Sequence, residues 1–189
     1  MQQPNDELLI ERARRGDQNA FEQLITQHEK MLYNVALRIM KKPEDAMDMA
    51  QESIIKIYRY ISGFKGDCTF SVWMYRIVTN TCLDELRRRK RKASVSLDSL
   101  VDEGTMQFED KGETPEQKLE RHELSDMIRE AINELDDDYR VVITLRDIQE
   151  LSYQEIAEVT SSNIGTVKSR IFRARSQLQK KLAPYIKSR

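Results

Sequence analysis

Apolar side chains return every three or four residues along this chain and hardly ever alternate. Phe21, Leu24, Ile25, Leu32, Val35, Ala36 and Ile39 form one such stripe. That period belongs to the 3.6-residue turn of an α-helix, not to the two-residue repeat of a strand. Only six Gly and four Pro interrupt the 189 residues, which leaves few breakers for a strand-and-turn architecture. The chain reads as all-α, long enough for one or two domains.

The same spacing sets out the elements. Helices are predicted over Leu8–Arg15, Ala20–Met40 with Asp17 as its cap, Glu44–Ile61 behind Pro43, and Phe70–Lys92. Pro115 precedes another, with Leu119, Leu124, Ile128, Ile132 and Leu135 facing inward, and a further helix covers Asp138–Ile148. Two more close the chain. Ser152 can cap the first, which carries Ile156, Ala157 and Val159. After the polar turn Ser161-Ser162-Asn163, the second buries Val167, Ile171, Ala174 and Leu178 on one side.

A net charge of −1 hides strong segregation. Arg87-Arg88-Arg89-Lys90-Arg91-Lys92 is an unbroken cationic run. Asp98 to Glu116 then carries seven acids against one Lys, with Gly104, Gly112 and Pro115 among them. From Lys168 to the end there are eight Lys or Arg and no acid. This alternation predicts two small helical domains, 1–93 and 117–189, joined by a flexible acidic linker at 94–116 that keeps away from phosphates. The second domain holds a helix-turn-helix.

Enzyme chemistry finds little support. His28 and His122 read as isolated surface residues, and Glu29 and Glu123 beside them make no ligand set. Cys68 and Cys82 have neither disulfide-framework nor metal-ligand spacing. No glycine loop for phosphate is present, so no cofactor, metal or catalytic residue is expected. No apolar run approaches a membrane span, and Met1-Gln2-Gln3-Pro4-Asn5-Asp6 lacks a signal-peptide pattern, which predicts a cytoplasmic protein without membrane insertion.

Three faces remain as binding candidates. On the last helix, Lys168, Ser169, Phe172 and Arg173 lie away from the buried stripe, where cations and a hydroxyl suit base edges in a major groove. A merely solvated basic helix is the plain alternative. On the third helix, Asp48, Gln51, Glu52 and Ile55 lie opposite Ala46, Ala50, Ile54, Ile57 and Ile61. A partner helix could dock there, and geometry equally allows an ordinary wet face. Around the fourth helix, the loop Phe64–Thr69, Phe70 and Asn80 precede the cationic run, a composition suited to unpaired bases. Trp73 reads as core.

In order along the chain, these segments resemble the bacterial sigma factors of the extracytoplasmic-function (ECF) group. The matches are Asp48-Met49-Ala50-Gln51-Glu52; Phe64-Lys65-Gly66-Asp67 running into Phe70–Ile77 with Asn80; Leu151–Ala157; and Gly165–Arg175. The resemblance implies a two-domain factor that binds core RNA polymerase and directs promoter-specific initiation. Asp48, Gln51, Glu52 and Ile55 would meet the clamp helices of the largest subunit, with a second contact at the flap region. Lys65, Asp67, Phe70 and Asn80 would recognise the −10 element and capture an unpaired base. Arg87, Arg88, Arg89, Lys90 and Arg91 would lie along promoter phosphates, and Lys168, Ser169, Phe172 and Arg173 would read the −35 duplex. The acidic linker would pass through polymerase near its active site. A cognate anti-sigma factor is a further implied partner. The rival is a stand-alone two-domain helix-turn-helix regulator, which leaves the aromatic loop and the Asp48 face without a role.

Overall fold

The helical stripes fold into eight α-helices among the residues described, which in the computed structural model are 4–93 and 115–187. They are α1 (Pro4–Arg14), α2 (Gln18–Met40), α3 (Pro43–Tyr60), α4 (Phe70–Ala93), α5 (Pro115–Asn133), α6 (Asp137–Ile143), α7 (Tyr153–Val159) and α8 (Ile164–Lys187). A 3₁₀ turn, Ile61–Gly63, follows α3, and α6 continues into a π-helical segment, Thr144–Ile148. Most of the predicted linker, 94–114, lies outside the described residues.

Local chemistry fixes the helix ends. Asp17 accepts from the Ala20 amide at 3.0 Å, as its cap position predicts. Gly16, at φ +92, supplies the left-handed residue that turns the chain from α1 into α2. Pro43 opens α3. Ser152 and Glu155 form a reciprocal capping box at the start of α7, with bonds of 3.2 and 2.7 Å. Asn163 accepts from the Thr166 amide at 2.8 Å and so begins α8, while Ser161 (φ 50) bends the turn before it.

In the N-terminal half, α2 is the central helix, with α1, α3 and α4 packed against it. Leu24, Leu32, Val35, Ala36 and Ile39 are fully buried there, and Phe21 packs at the margin. The buried side of α3 is Ala46, Met49, Ala50, Ser53 and Ile57, with Ile61 joining from the 3₁₀ turn; Ile54 is only half-buried. Trp73 is core, tilted against Phe64 and stacked on Phe70. In the C-terminal half, α5, α6 and α7 lean on α8, around Ile132, Leu135, Ile143 and Ala174, with Leu178 at the edge.

Three expectations are corrected. Leu124 and Ile128 are exposed rather than inward, because the described part of α5 has chiefly α8 to lean on. The helix predicted over Asp138–Ile148 is regular only to Ile143 and then widens into the π segment. The two halves, predicted as domains joined by a flexible linker, pack together: α6 lies on α2 and α4, and α7 on α4. The reason is that α6 is apolar on two sides. Ile143 joins the small cluster with Ala174 of α8, whereas Val141, Val142 and Leu145 belong to the large cluster that runs through both halves, from Leu32 of α2 to Ile156 of α7 and Val167 of α8.

Leu32 has no exposed surface at the centre of α2. Leu32→Ala should therefore cost about 2–5 kcal/mol of unfolding free energy, read from the urea midpoint.

Candidate nucleic-acid and partner interfaces

The outward side of α3 follows from its buried side. Asp48, Gln51 and Glu52 are exposed, and Ile55 is 50% exposed, with Met47 also open to solvent nearby. Glu52 pairs with Lys56 at 2.8 Å, and Lys56 donates to the Thr81 hydroxyl at 3.1 Å, which ties this helix to α4. The result is an acidic, amide-bearing surface with apolar side chains in its midst. Such a mixture suits docking of a partner helix.

The loop ahead of α4 offers Lys65 and Asp67 to solvent around Gly66, whose φ of +80 an L side chain rarely adopts. Gly63, also expected to supply backbone freedom, keeps an ordinary φ. Thr69 closes the loop by accepting from the Val72 amide at 3.3 Å. Phe70 departs from its expected role. It is 1% exposed and held between Phe64, Trp73 and His28, so its ring supports the loop from beneath and offers no face to a base. Asn80 is half-buried between the buried Thr79 and Thr81.

The cationic run of α4 is exposed but engaged. Arg87 pairs with Asp84 at 3.1 Å and Arg88 with Glu85 at 2.6 Å. Arg89 reaches both Glu85 at 2.7 Å and Asp45 at 2.6 Å, and Lys90 reaches Asp137 at 2.7 Å. Arg91 is exposed beside them. Hydrogen bonds from Arg88, and then from Arg89, hold the Glu85 carboxyl down at about 2. Phosphates arriving at this helix would compete with carboxylates already in place.

On α8, Val167, Ile171 and Ala174 are buried, which leaves Lys168, Ser169, Phe172 and Arg173 exposed. Phe172 is 76% exposed, the largest exposure among the apolar side chains described. Two other cations on the helix are tethered instead. Arg170 pairs with Asp138 at 2.6 Å, and Arg175 pairs with Asp147.

Sequence reasoning missed Arg140. Its guanidinium is 1% exposed and donates to the Ile39 carbonyl through Nε (3.1 Å) and Nη2 (2.9 Å), to the Leu135 carbonyl (2.8 Å), and to Asp137 (2.5 Å). A charged residue inside an apolar stretch, Tyr139–Leu145, was the available signal. His28 was misread as a surface residue. It is half-buried, edge-on to Phe70, with Asp6 3.8 Å away, and burial lowers its pKa against a weaker opposing pull from Asp6. Its position four residues from both Leu24 and Leu32 put it on the buried stripe. His122 lies outside the described side chains. Cys82 is buried, its thiol pushed up to about 12, and burial also raises Cys68, so neither is primed as a thiolate. Among the described residues no cluster of metal-ligating side chains occurs, and no helix is long and apolar enough to cross a membrane.

A buried four-helix N-terminal unit and a C-terminal helix-turn-helix, each with a solvent-facing polar surface, define a two-region factor. Residues 24–92 match the family model for Sigma-70 region 2, and residues 125–178 match that for Sigma-70 region 4. The chain belongs to the ECF sigma factors, proteins that direct transcription initiation and are not enzymes. It is 37% identical to the RNA polymerase sigma-H factor of Pseudomonas aeruginosa over 98% of this chain and 97% of that one. It is 36% identical to the ECF RNA polymerase sigma-E factor of Escherichia coli K12, over 98% of both. Among solved structures, the sigma factor RpoE bound to the anti-sigma factor NepR from Bartonella quintana aligns with TM-score 0.70 and 25% identity. The alignment covers 86% of this chain and 96% of that one. CnrH bound to the cytosolic domain of CnrY aligns with TM-score 0.65 and 26% identity, over 96% and 99%. Similarity along the whole length leaves a stand-alone regulator without support.

The Glu85 network sets an acid limit. Its folded-state value of about 2 lies below the ordinary 4.5, so its stabilisation is present above pH 4.5 and is lost as the pH falls towards 2. Glu85→Gln should lower the thermal midpoint at pH 7, with the deficit shrinking towards pH 2.

Proposed function

We propose that this chain binds core RNA polymerase through α3 and directs it to promoters whose two elements are read by two different chemistries. Asp48, Gln51, Glu52 and Ile55 form the polymerase contact with the clamp helices, and the C-terminal half adds a contact at the flap. Lys168, Ser169, Phe172 and Arg173 read the −35 duplex in the major groove. The Lys65–Thr69 loop and Asn80 take an unpaired −10 base, with the cations of α4 along the backbone. Phe70 serves this pocket as its floor.

The observation that carries the reading is the solvent-facing aromatic on α8. Burying Phe172 would release an apolar area that the fold leaves wet, and it stands among Lys168, Ser169 and Arg173 on one side of the helix. That combination offers a ring for a thymine methyl, a hydroxyl for several bases and a guanidinium for guanine. The outward Asp48–Glu52 side supports the polymerase assignment in the same manner.

The mechanism then needs no covalent step from this chain. Once both halves sit on one enzyme, each raises the effective concentration of the other's DNA element, so modest contacts sum to a specific complex. Strand opening follows from differential affinity: the loop pocket prefers an extruded base to a stacked one and shifts the duplex towards melting. RpoE and CnrH, crystallised with anti-sigma factors, support a cognate anti-sigma factor as a third partner here.

Two outcomes are expected. Gln51→Ala with Glu52→Ala should weaken capture by core polymerase while leaving the far-ultraviolet circular dichroism unchanged; undiminished capture removes the α3 assignment. Arg173→Ala should cost roughly 1–3 kcal/mol at particular upstream base pairs in run-off transcription on mutated promoters. A loss equal at all upstream sequences means that Arg173 touches only phosphate.

A further inference from the structure

Among the cations that end α4, Arg89 is held unlike its neighbours. Its guanidinium turns an edge to α3: Nη1 donates to Asp45 Oδ2 at 2.6 Å and Nη2 to Asp45 Oδ1 at 2.7 Å. Nε donates to Glu85 Oε1 at 2.7 Å, so all three nitrogens are engaged. The two acceptor side chains are only 18% and 10% exposed. A fork matched in this way to a carboxylate is among the strongest polar contacts a side chain makes. Arg87 is the opposite case. It makes one contact of 3.1 Å to Asp84, and the two side chains are 63% and 68% exposed. Phosphate displaces such a pair at little cost.

The place of the fork along α4 gives it a task. Leu83 is buried and Leu86 half-buried against the core, whereas every side chain from Arg87 to Lys92 is exposed. Apolar packing therefore stops where the cations begin, and a helix end without packing frays. Arg88 bonds back to Glu85 within α4, and Lys90 reaches out to Asp137 of α6. Arg89 instead reaches the first turn of α3, three residues ahead of Asp48. Further along α3, Lys56 donates to Thr81 of α4 at 3.1 Å. The two ties lie 11 residues apart on α3 and 8 apart on α4, about 16 and 12 Å at 1.5 Å per residue. Two ties at that separation fix the direction of α4 on α3, as one could not.

We propose that Arg89 is a positioning residue and takes no promoter phosphate. Through Asp45 it keeps the end of α4 ordered and aimed from α3, so that the neighbouring cations meet the DNA backbone at a fixed distance from the polymerase contact. Arg89 is thus the exception among the cations set along that backbone. The inference rests on the sigma-factor reading, which makes α3 the polymerase side and α4 the DNA side. Asp45 then acts on DNA binding against the sign of its own charge. An acid near phosphates hinders binding, and its removal helps. An acid that braces the phosphate-binding helix does the reverse, because a frayed population lowers the apparent affinity by the ordered fraction.

The sign of that effect is the test. Holoenzymes are assembled from core polymerase and full-length chains carrying Asp45→Asn, Arg89→Gln, both changes, Asp45→Glu or Arg87→Gln. Binding is measured to one DNA, a duplex with a single-stranded end, selected from a random pool by the wild-type holoenzyme. Asp45→Asn and Arg89→Gln should each weaken binding on the order of fivefold at fixed salt, and the double variant no further. Both should leave the slope of log affinity against log salt unchanged, whereas Arg87→Gln should lower it by about 0.9. Asp45→Glu, which keeps the carboxylate, should recover most of the loss. In millisecond hydrogen exchange, the amides of 87–92 should open faster in Asp45→Asn and Arg89→Gln. Capture of core polymerase should stay at the wild-type level, and thermal melts check that each variant folds.

Tighter DNA binding by Asp45→Asn overturns the proposal. So does a slope lowered by about 0.9 in Arg89→Gln, since either result puts Arg89 on a phosphate. Unchanged exchange at 87–92 overturns it as well, because no brace was then removed. A slope untouched by Arg87→Gln would instead remove the cations of α4 from the DNA backbone, and failure of the wild type to bind core polymerase would overturn the sigma-factor reading.

Discussion

A guanidinium with 1% exposure cannot be left without partners, and the way Arg140 is satisfied organises the whole C-terminal half. It bonds the carbonyl of Leu135 just ahead of α6, Asp137 in the first turn, and Ile39 across the seam. The last carbonyls of α2 have no intrahelical donors, so Arg140 also completes that helix end. One side chain thereby ties the start of α6 to the end of α2. The neighbouring Lys41 feels this concentration of charge: burial, and then Arg140 nearby, lower its pKa.

Around that anchor the fold separates side chains by what each helix can bury. α3 hides small residues against α2 and α4, and its acids and amide are left outside. α8 hides Val167, Ile171 and Ala174, and Phe172 is left outside with its polar neighbours. Cations that share these surfaces fall into two groups. Arg170, Arg175 and Arg89 are engaged in short pairs with Asp138, Asp147 and Asp45 that brace one element against another, while Lys168 and Arg173 are exposed beside Phe172. Packing thus leaves these sides of α3 and α8 open to solvent.

Much of this was legible in the residues. The α2 stripe, the caps Asp17 and Ser152, the start at Pro43 and the core role of Trp73 all emerge from spacing and local hydrogen-bond chemistry. So do the outward sides of α3 and α8, because a helix that buries one stripe must expose the other. Phe70 was misplaced because an aromatic beside a basic run has two uses, core and base platform. Only the ring cluster with Phe64, Trp73 and His28 decides between them. Leu124 and Ile128 show the converse, since helical period names a candidate face without guaranteeing a neighbour to cover it.

The helices, their faces and their membership of a two-region family were legible along the chain, since periodicity, capping and motif order are local and survive any arrangement of the parts. Only the packed chain shows which side chains cover Val141, Val142 and Leu145, where the Arg140 guanidinium finds its acceptors, and which cations of α4 and α8 are paired. Those choices depend on groups far apart along the chain, such as Ile39 and Arg140, or Lys90 and Asp137. No one-dimensional pattern encodes such a meeting; it follows from burying a second apolar face while leaving no charge without a partner.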